Sequence, residues 1–280
     1  MLITGNSKEV SRQVDFIKSS GKTVGFVPTM GALHRGHISL VEQCNKECDY
    51  TVVSVFVNPT QFNDKEDYKR YPRVPEEDSK MLKEAGCDLV FMPTEQEIYP
   101  EPDTSIFDFT PLDKVMEGAF RPGHFNGVAQ IVSRLFDIVK PDKAFFGLKD
   151  FQQLAIIRRL VQQVNRPVTI VDCNIIREAD GLAMSSRNML LNADQREAAP
   201  TIYRVLMQAK ELVTELNPDQ LKAYVTDQIN VNSELKIEYA EVVDAGNLQP
   251  IKAWNDAQSV QLCVAVQVGK IRLIDNINLI

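Results

Sequence analysis

Long apolar runs, a basic leader segment and paired cysteines are all missing from this 280-residue sequence. The longest apolar stretches have the length of a strand, far short of the roughly 20 residues that a membrane-spanning helix needs. The opening MLITGNSKEVSRQ has no basic head followed by an apolar core, which argues against a secretory signal. Five scattered cysteines without a CxxC pair argue against a zinc or disulfide framework and favour free thiols in the cytoplasm.

Positive charge is in the minority. Lys and Arg number 31 against 38 Asp and Glu, which gives a net charge of −7. An acidic surface argues against a protein that mainly grips nucleic acid through phosphate contacts, although it allows a local basic pocket for a small anion. Hydrophobic residues at 44% and charged residues at 25% are typical of an ordinary globular chain. The length allows one large domain or two modest ones.

Strand and helix patterns alternate over about the first 175 residues, which predicts an α/β fold with a doubly wound, Rossmann-like parallel sheet. Strands are expected at 23–27, 51–57, 88–92, 143–146 and 168–172, and helices at 10–20, 36–48, 76–85, 128–139 and 150–163. The segment 93–122 is rich in proline and is expected to be a loop, apart from a short strand at 106–109.

The remainder of the chain has a different pattern. Helices at 193–216 and 218–231 precede strands near 236–243, 260–268 and 271–275, with a tight hairpin turn at Gly269-Lys270. We therefore expect a Rossmann-like ligand-binding domain at 1–175 and a smaller α+β domain at 176–280.

Candidate chemistry concentrates after the first predicted strand, in the turn PTMGALHRGH. Ligands of doubly wound sheets bind at the carboxyl ends of the strands, and phosphates bind at the N-terminus of the following helix. The turn is neither GxGxxG nor GxxxxGK[ST], but it holds His34 and His37 with Gly36 between them. Two of the three histidines in one turn favour ligand contact over a simple helix cap. A metal site is the other alternative, although no third ligand is nearby.

Amides and cations follow other strands. Asn58 and Gln61 lie after the second strand and suit hydroxyl and carboxylate recognition, or else are ordinary turn residues. The segment FGLKDFQQ places Lys149 at the positive end of a helix and Gln153 one turn into it, which an ordinary helix start does not explain.

Two further loops carry positive charge. Met184-Ser185-Ser186-Arg187 offers two hydroxyls and a guanidinium for a phosphate. The loop RPGHF, with Arg121 and His124, is either a ligand contact or a surface turn, and the sequence leaves that choice open.

In combination these segments resemble a known family. HxGH at 34–37 and MSSR at 184–187 are similar to the nucleotide-binding signatures of the nucleotidyltransferase superfamily. PTMGALHRGH, FVNPTQF, YPR, RPGHFNGV, FFGLKDFQQL and DGLAMSSRN, in this order, resemble the pantoate–β-alanine ligase family. The resemblance implies ATP-dependent condensation of pantoate with β-alanine to pantothenate, AMP and pyrophosphate through an enzyme-bound pantoyl adenylate. It also implies Mg²⁺, carried mainly on the nucleotide phosphates, and a homodimer. Because a reactive adenylate must be shielded from water, we expect the domain at 176–280 to act as a lid.

The resemblance also implies roles for individual residues. ATP would be held by Met30, Gly31, His34, Gly36 and His37, by Gly147, Leu148, Lys149 and Asp150, by Ile176, and by Met184, Ser185, Ser186 and Arg187. Asn58, Gln61 and Gln153 would hold pantoate. His37 would be the proton donor, with His34, Lys149 and Arg187 as further catalytic residues. Metal ligands stay unassigned, because the stretch after YPR reads Glu76-Glu77-Asp78 rather than a run of aspartates.

Three alternatives have different requirements. A nicotinamide-dependent dehydrogenase needs a glycine fingerprint that the first turn lacks. A nucleotide-sensing or tRNA-binding module would use the same histidines without turnover, but the net charge of −7 disfavours tRNA. A nucleotidyltransferase acting on a phosphate substrate would need cations where Asn58, Gln61 and Gln153 stand.

Overall fold

The computed structural model describes residues 1–280, and their internal contacts divide them into two compact units. Unit 1 comprises Met1–Phe109, Glu117–Leu148 and Gln153–Asn174. Unit 2 comprises Thr110–Met116, Lys149–Gln152 and Ile175–Ile280. Neither unit is therefore a single continuous stretch of chain.

Unit 1 is built on a six-stranded sheet whose paired strands are all parallel. The strands are β1 (Leu2–Thr4), β2 (Val24–Thr29), β3 (Tyr50–Val55), β4 (Leu89–Phe91), β5 (Lys143–Gly147) and β6 (Thr169–Cys173), in the order β1-β4-β3-β2-β5-β6. The central strands β2 and β3 each have four successive buried residues, as expected for strands with both faces covered. The predicted doubly wound parallel sheet is confirmed, and the direction of winding reverses between β2 and β5.

Helices connect these strands. They are α1 (Ser7–Ser19), α2 (Arg35–Glu47), α3 (Lys65–Arg70), α4 (Pro75–Glu84), α5 (Glu95–Ile98), α6 (Met116–Phe120), α7 (His124–Val139) and α8 (Phe151–Val164). None of the helices in the structure is long and apolar enough to cross a membrane.

Unit 2 carries a separate antiparallel sheet. Helices α9 (Ala193–Ala198), α10 (Thr201–Glu211) and α11 (Pro218–Asn230) precede strands β7 (Leu235–Asp244), β8 (Val260–Val268) and β9 (Ile271–Asn278), which pair in that order. Gly269 has φ +60° in the turn between β8 and β9, as the hairpin prediction requires. Buried side chains of the helices and the sheet, among them Leu206, Val225 and Val264, form one core.

Two predicted elements are wrong, and the segment 93–122, predicted to be a loop, also contains the short helices α5 and α6. Residues 106–109 form no strand, because side chains occupy the backbone groups that a sheet would pair: Asn126 accepts from the Phe107 N–H, and Gln163 donates to the Asp108 carbonyl. The helix predicted over 193–216 is divided at Pro200, which has no N–H to give an unbroken helix.

All five cysteines are free thiols. Burial raises the pKa of Cys44 and of Cys87 to about 12, so both are protonated at neutral pH. This protonation makes them inert packing groups rather than nucleophiles.

Candidate active site

The reversal of winding between β2 and β5 defines the expected ligand crevice of unit 1. The turn after β2 leads into α2, and β5 ends at Gly147. The strand β3, on the other side of β2, leads to the 3₁₀ turn Pro59–Gln61. We call the segment after β2, residues 28–37, the histidine turn, and the segment after β3, residues 58–62, the amide turn. Because the carboxyl ends of these parallel strands meet at one edge, the sheet brings the two turns together.

The backbone of the histidine turn is held by a buried carboxylate. Gly31 has φ +77° and Ala32 has φ +48°, two successive left-handed residues. Asp78, in the first turn of α4, accepts the Ala32 N–H at 3.0 Å and the Leu33 N–H at 2.7 Å, one on each oxygen. Asp78 is 1% exposed, and burial raises its pKa even though the two N–H donors oppose the rise. A Cβ on Gly31 would lie 2.9 Å from Asp78 Oδ2, so the turn and the carboxylate fit each other closely.

The two histidines of this turn share a hydrogen-bonding pattern. The Gly36 N–H donates to His34 Nδ1 at 3.1 Å, and the His34 N–H donates to His37 Nδ1 at 3.3 Å. Their ring centroids are 4.1 Å apart. Since both Nδ1 atoms accept, each neutral ring carries its proton on Nε2. The start of α2 therefore holds two imidazole N–H donors side by side, where the helix dipole also favours an anion.

The amide of Gln61 is oriented by its neighbours. Its Oε1 accepts from Asn58 Nδ2 at 3.2 Å, and its Nε2 donates to Met30 Sδ at 3.0 Å. Asn58 is 1% exposed, and its Nδ2 also reaches the Gly127 carbonyl at 3.1 Å, while its Oδ1 accepts from the Tyr99 hydroxyl at 2.8 Å. Asn58 is thus a buried hub of the amide turn, and the hub fixes which atom of the Gln61 amide is the donor.

Arg121 and His124 also lie against the amide turn. His124 Nδ1 is 2.8 Å from the Gln61 backbone carbonyl, and Arg121 Nη2 is 3.4 Å from the same oxygen. The loop RPGHF, whose role the sequence does not decide, therefore contacts the backbone of a candidate substrate-binding residue.

The segment after β5 is divided between the units. Gln153 is partly buried in unit 1, whereas the preceding Gln152 belongs to unit 2 and donates to the Leu112 and Val115 carbonyls at 2.7 and 2.8 Å. Lys149 also belongs to unit 2. Its backbone carbonyl accepts from Asn276 Nδ2 at 2.9 Å, and its side-chain Nζ lies 3.7 Å from Asp150 Oδ2. Leu148 and Asp150 complete the 3₁₀ turn that leads into α8.

The segment from Ile176 to Arg187 opens the long part of unit 2. The Met184 N–H donates to the Ile176 carbonyl, and Ser185 caps a 3₁₀ turn by accepting from the Arg187 N–H at 3.3 Å. Ser186 is buried. These contacts order the backbone of the predicted serine and arginine cluster.

A buried ion pair fixes the same segment to the sheet of unit 2. Arg177 makes two contacts with Asp275, at 2.6 and 3.0 Å, and its guanidinium lies 3.8 Å from the Tyr203 ring centre. Burial raises the pKa of Asp275, and Arg177 opposes that rise.

The acidic side chains near the histidine turn do not form a metal site of their own. No three or more His, Cys, Asp or Glu side chains are grouped as metal ligands. Both oxygens of Asp78 accept backbone N–H groups, and Glu76 and Glu77 are exposed. These side chains therefore do not form a ready-made set of protein ligands for a divalent cation.

Comparison with known proteins decides the family. The family model described as pantoate-beta-alanine ligase matches residues 2–278. The chain belongs to the pantoate–β-alanine ligase family. The resemblance inferred from the six segments is therefore confirmed.

Individual relatives of the family agree with this assignment over nearly full length. Pantothenate synthetase of Porphyromonas gingivalis is 55% identical over 260 residues, covering 93% of this chain and 92% of that protein. Pantothenate synthetase of Bacteroides fragilis is 50% identical over 277 residues, covering 99% and 98%.

Solved structures of the family share the fold. Pantothenate synthetase from Thermus thermophilus superimposes with a TM-score of 0.93 at 41% identity, covering 99% of each chain. Pantoate-beta-alanine ligase from Francisella tularensis, in complex with beta-gamma ATP and beta-alanine, has a TM-score of 0.83 at 35% identity and covers 99% of this chain and 97% of that one.

Sequence reasoning missed two groups, one in each unit, that hold the backbone of predicted site segments. Asp78 was considered only as a possible neighbour of the metal, although its spacing of four from buried Leu82 indicates a side chain on the buried face of α4. Asn276, which holds the Lys149 carbonyl, follows 127 residues later in β9, and no local pattern links the two positions.

Proposed function

We propose that this chain condenses pantoate with β-alanine at the expense of ATP, with the histidine turn binding the phosphates and the amide turn binding pantoate. Family membership over residues 2–278 supports the overall reaction. The arrangement of paired imidazole donors beside an oriented Gln61 amide supports the division of labour within unit 1.

The chemistry requires two displacements. A carboxylate is a poor electrophile, so an oxygen of the pantoate carboxylate first attacks the α-phosphorus of ATP, and the bond to pyrophosphate breaks. The amine of β-alanine then attacks the acyl carbon of the pantoyl adenylate, loses a proton, and AMP leaves. No covalent bond to the enzyme is needed, and catalysis rests on positioning and charge stabilisation.

The phosphates would be bound mainly by donors and cations. We assign His34 and His37 as Nε2–H donors to phosphate oxygens, with His37 as the proton donor. Lys149 and Arg187 would balance the charge that develops as pyrophosphate leaves. The remaining ATP contacts are proposed for Met30, Gly31, Gly36, Gly147, Leu148, Asp150, Ile176, Met184, Ser185 and Ser186. Mg²⁺, held through the phosphates, would neutralise part of their charge.

Pantoate would be bound by amides. Gln61 and Gln153 supply donors for its hydroxyls and carboxylate, and Gln61 would also contact β-alanine. Because Asn58 already bonds on both sides of its amide, we propose that it contributes to the pantoate site through Gln61.

We further propose that residues 1–175 act as the nucleotide- and pantoate-binding domain and 176–280 as a lid. A lid suits this chemistry because a reactive adenylate must be shielded from water. A homodimer in the cytoplasm, without nucleic-acid or membrane partners, completes the proposal.

The direct test is pyrophosphate release by the purified protein with ATP, Mg²⁺ and pantoate, with and without β-alanine. We expect pantoate-dependent release, and a product of the mass of pantothenate only when both acids are present. ATP binding without pantoate-dependent pyrophosphate would contradict the proposed acid substrate.

Changing Gln61 to alanine should weaken pantoate binding selectively. Loss of a hydrogen bond to a charged or polar substrate group predicts a rise in the pantoate KM of about 10-fold to 100-fold, with ATP affinity retained. The matched control is Gln43→Ala, which removes a half-buried side chain of α2 whose amide donates to Glu47 within the same helix. An unchanged pantoate KM in Gln61→Ala would show that this amide has a structural role only.

A further inference from the structure

The backbone carbonyl of Gln61 needs a partner from outside its own turn. It ends a three-residue 3₁₀ turn whose closing bond, Phe62 N–H to Pro59 carbonyl, leaves the Gln61 oxygen unused. The last carbonyls of a helical turn have no partner within it. His124 supplies that partner at 2.8 Å, from the first turn of α7.

The tautomer of His124 follows from its other neighbour. His124 Nε2 lies 3.2 Å from Arg121 Nη1. A guanidinium only donates, so Nε2 accepts, and the proton of the neutral ring sits on Nδ1. Nδ1–H then donates to the Gln61 carbonyl. This is the opposite tautomer to the one deduced for His34 and His37.

Arg121 is itself held in place. Its Nη1 lies 3.4 Å from Glu117 Oε2, one helical turn earlier in the chain. Glu117 is 7% exposed and His124 is 6% exposed, so this chain of contacts is largely shielded from water. A buried carboxylate, a guanidinium and an imidazole are thus connected to one backbone oxygen, which the imidazole reaches at 2.8 Å and the guanidinium also reaches directly, through Nη2, at 3.4 Å.

The same end of α7 contacts the amide turn at a second place. A Cβ on Gly127 would lie 2.8 Å from the Gln61 backbone nitrogen, so only glycine allows this approach. Gly127 and His124 are three residues apart and lie on one face of α7. The start of α7 is therefore the surface on which the Gln61 backbone rests.

We propose that Glu117, Arg121 and His124 form a positioning relay that fixes the Gln61 backbone and thereby sets the affinity for pantoate. None of the three touches the reacting atoms in this proposal. Both ring nitrogens of His124 have protein partners, Arg121 at Nε2 and the Gln61 carbonyl at Nδ1, which favours positioning over direct substrate contact. The expected effect on pantoate affinity rests on the proposed role of Gln61 in binding pantoate. The tautomer assigned to His124 is independent of that role.

The first test uses the unmodified protein. With three histidines in the chain, long-range ¹⁵N–¹H correlation spectra can be assigned by single substitutions. We expect His124 as the Nδ1–H tautomer, and an Nε2–H tautomer at His124 would overturn the relay. In Arg121→Met, loss of the donor to Nε2 should change the His124 ring signals, and unchanged signals would equally contradict it.

The second test separates positioning from folding. Asparagine places an amide donor near the position of Nδ1, whereas glutamine places it near Nε2. We expect His124→Asn to keep the pantoate KM within a few-fold and His124→Gln to raise it about 10-fold or more, with the ATP KM and saturated kcat retained. A merely structural role would lower the active fraction, and hence kcat, in both variants without separating their pantoate KM values.

The outcomes distinguish the relay from the proposed function. Equal pantoate KM values for the unmodified protein and both variants would overturn the relay while leaving pantoate as the substrate. Absence of any pantoate-dependent turnover in the unmodified protein would overturn the function, and the tautomer measurement would still decide the contacts. If the His124 variants do not fold, the pantoate KM of Arg121→Met takes their place, with the same 10-fold rise expected and an unchanged value as the contrary result.

Discussion

Replacing His37 by alanine should lower the rate of pantoate-dependent pyrophosphate release by about 10²–10³, the usual effect of removing one donor to a transition state. The reason is geometric as well as electrostatic. His37 presents an Nε2–H while its Nδ1 accepts the His34 N–H at the start of α2, so the ring is oriented before substrate arrives. Rapid-quench measurement of the first turnover would give the rate of adenylation itself.

Two further substitutions separate the functions of the His37 ring. Asparagine can replace the acceptor at Nδ1 but not the donor at Nε2, and glutamine places an amide donor close to Nε2. We expect His37→Gln to keep more of the adenylation rate than His37→Asn, while both fold. A near-normal rate in His37→Asn would show that the ring serves α2 and not the phosphates.

Changing Asp78 to asparagine should reduce activity strongly with little loss of stability. The carboxylate accepts two backbone N–H groups, and an asparagine would direct its own NH₂ against one of them. The left-handed pair Gly31 and Ala32 would then shift, and a shift of about 1 Å in a positioned site costs about 10²-fold in rate. We expect kcat/KM for ATP to fall by about that factor.

Stability should respond differently to the same substitution. Burial raises the pKa of Asp78, which means that its ionised form is held at a cost that asparagine removes. We expect the free energy of unfolding to change by about 1 kcal/mol or less, since this relief offsets the lost charge-assisted bonds. The control is Glu84→Gln, an exposed carboxylate near the other end of the same helix that does not contribute to the raised pKa of Asp78, which should leave both quantities unchanged. Parallel loss of activity and stability in Asp78→Asn would contradict the argument.

The raised pKa of Asp78 makes both fold stability and nucleotide affinity depend on pH. The contribution of Asp78 to stability is greatest when it is protonated, and it is lost as pH rises through the folded-state pKa. The two N–H groups need the ionised form as acceptor, so ATP binding should weaken as pH falls through that same pKa. Nucleotide affinity and fold stability should therefore move in opposite directions over this pH range.

Local patterns were sufficient for most of the sheet and its helices. The apolar runs that became β2, β3 and β5 are long enough to be recognised, whereas β1 has only three residues and no distinctive composition. The segment at 106–109 has the composition of a strand, and Phe109 is buried, but its backbone bonds to side chains rather than to another strand. Such pairing depends on partners distant in sequence, which periodicity does not reveal.

For the site, residue types were easier to predict than their relations. Adjacent histidines in one turn and amides after the next strand pointed to a ligand crevice because strand ends meet at one edge. The sequence alone does not distinguish Asn58, with bonds on both sides of its amide, from Gln61, whose amide Asn58 orients. The tautomer of His124 depends on which ring nitrogen Arg121 approaches, and that contact is set by the three-dimensional structure.

The divided course of unit 2 limits how the enzyme can be cut or exchanged. Unit 2 includes two short segments from far upstream: Asn276 of β9 donates to the Lys149 carbonyl, and Gln249, in the connection between β7 and β8, donates to the Pro111 carbonyl at 3.4 Å. A fragment starting at residue 176 would leave the buried Asn276 amide without this acceptor. A chimera between relatives joined at one point would combine Lys149 of one parent with Asn276 of the other. Exchange is expected to succeed only when all three segments move together, so this part of the enzyme is inherited as a set of dispersed pieces rather than as a detachable module.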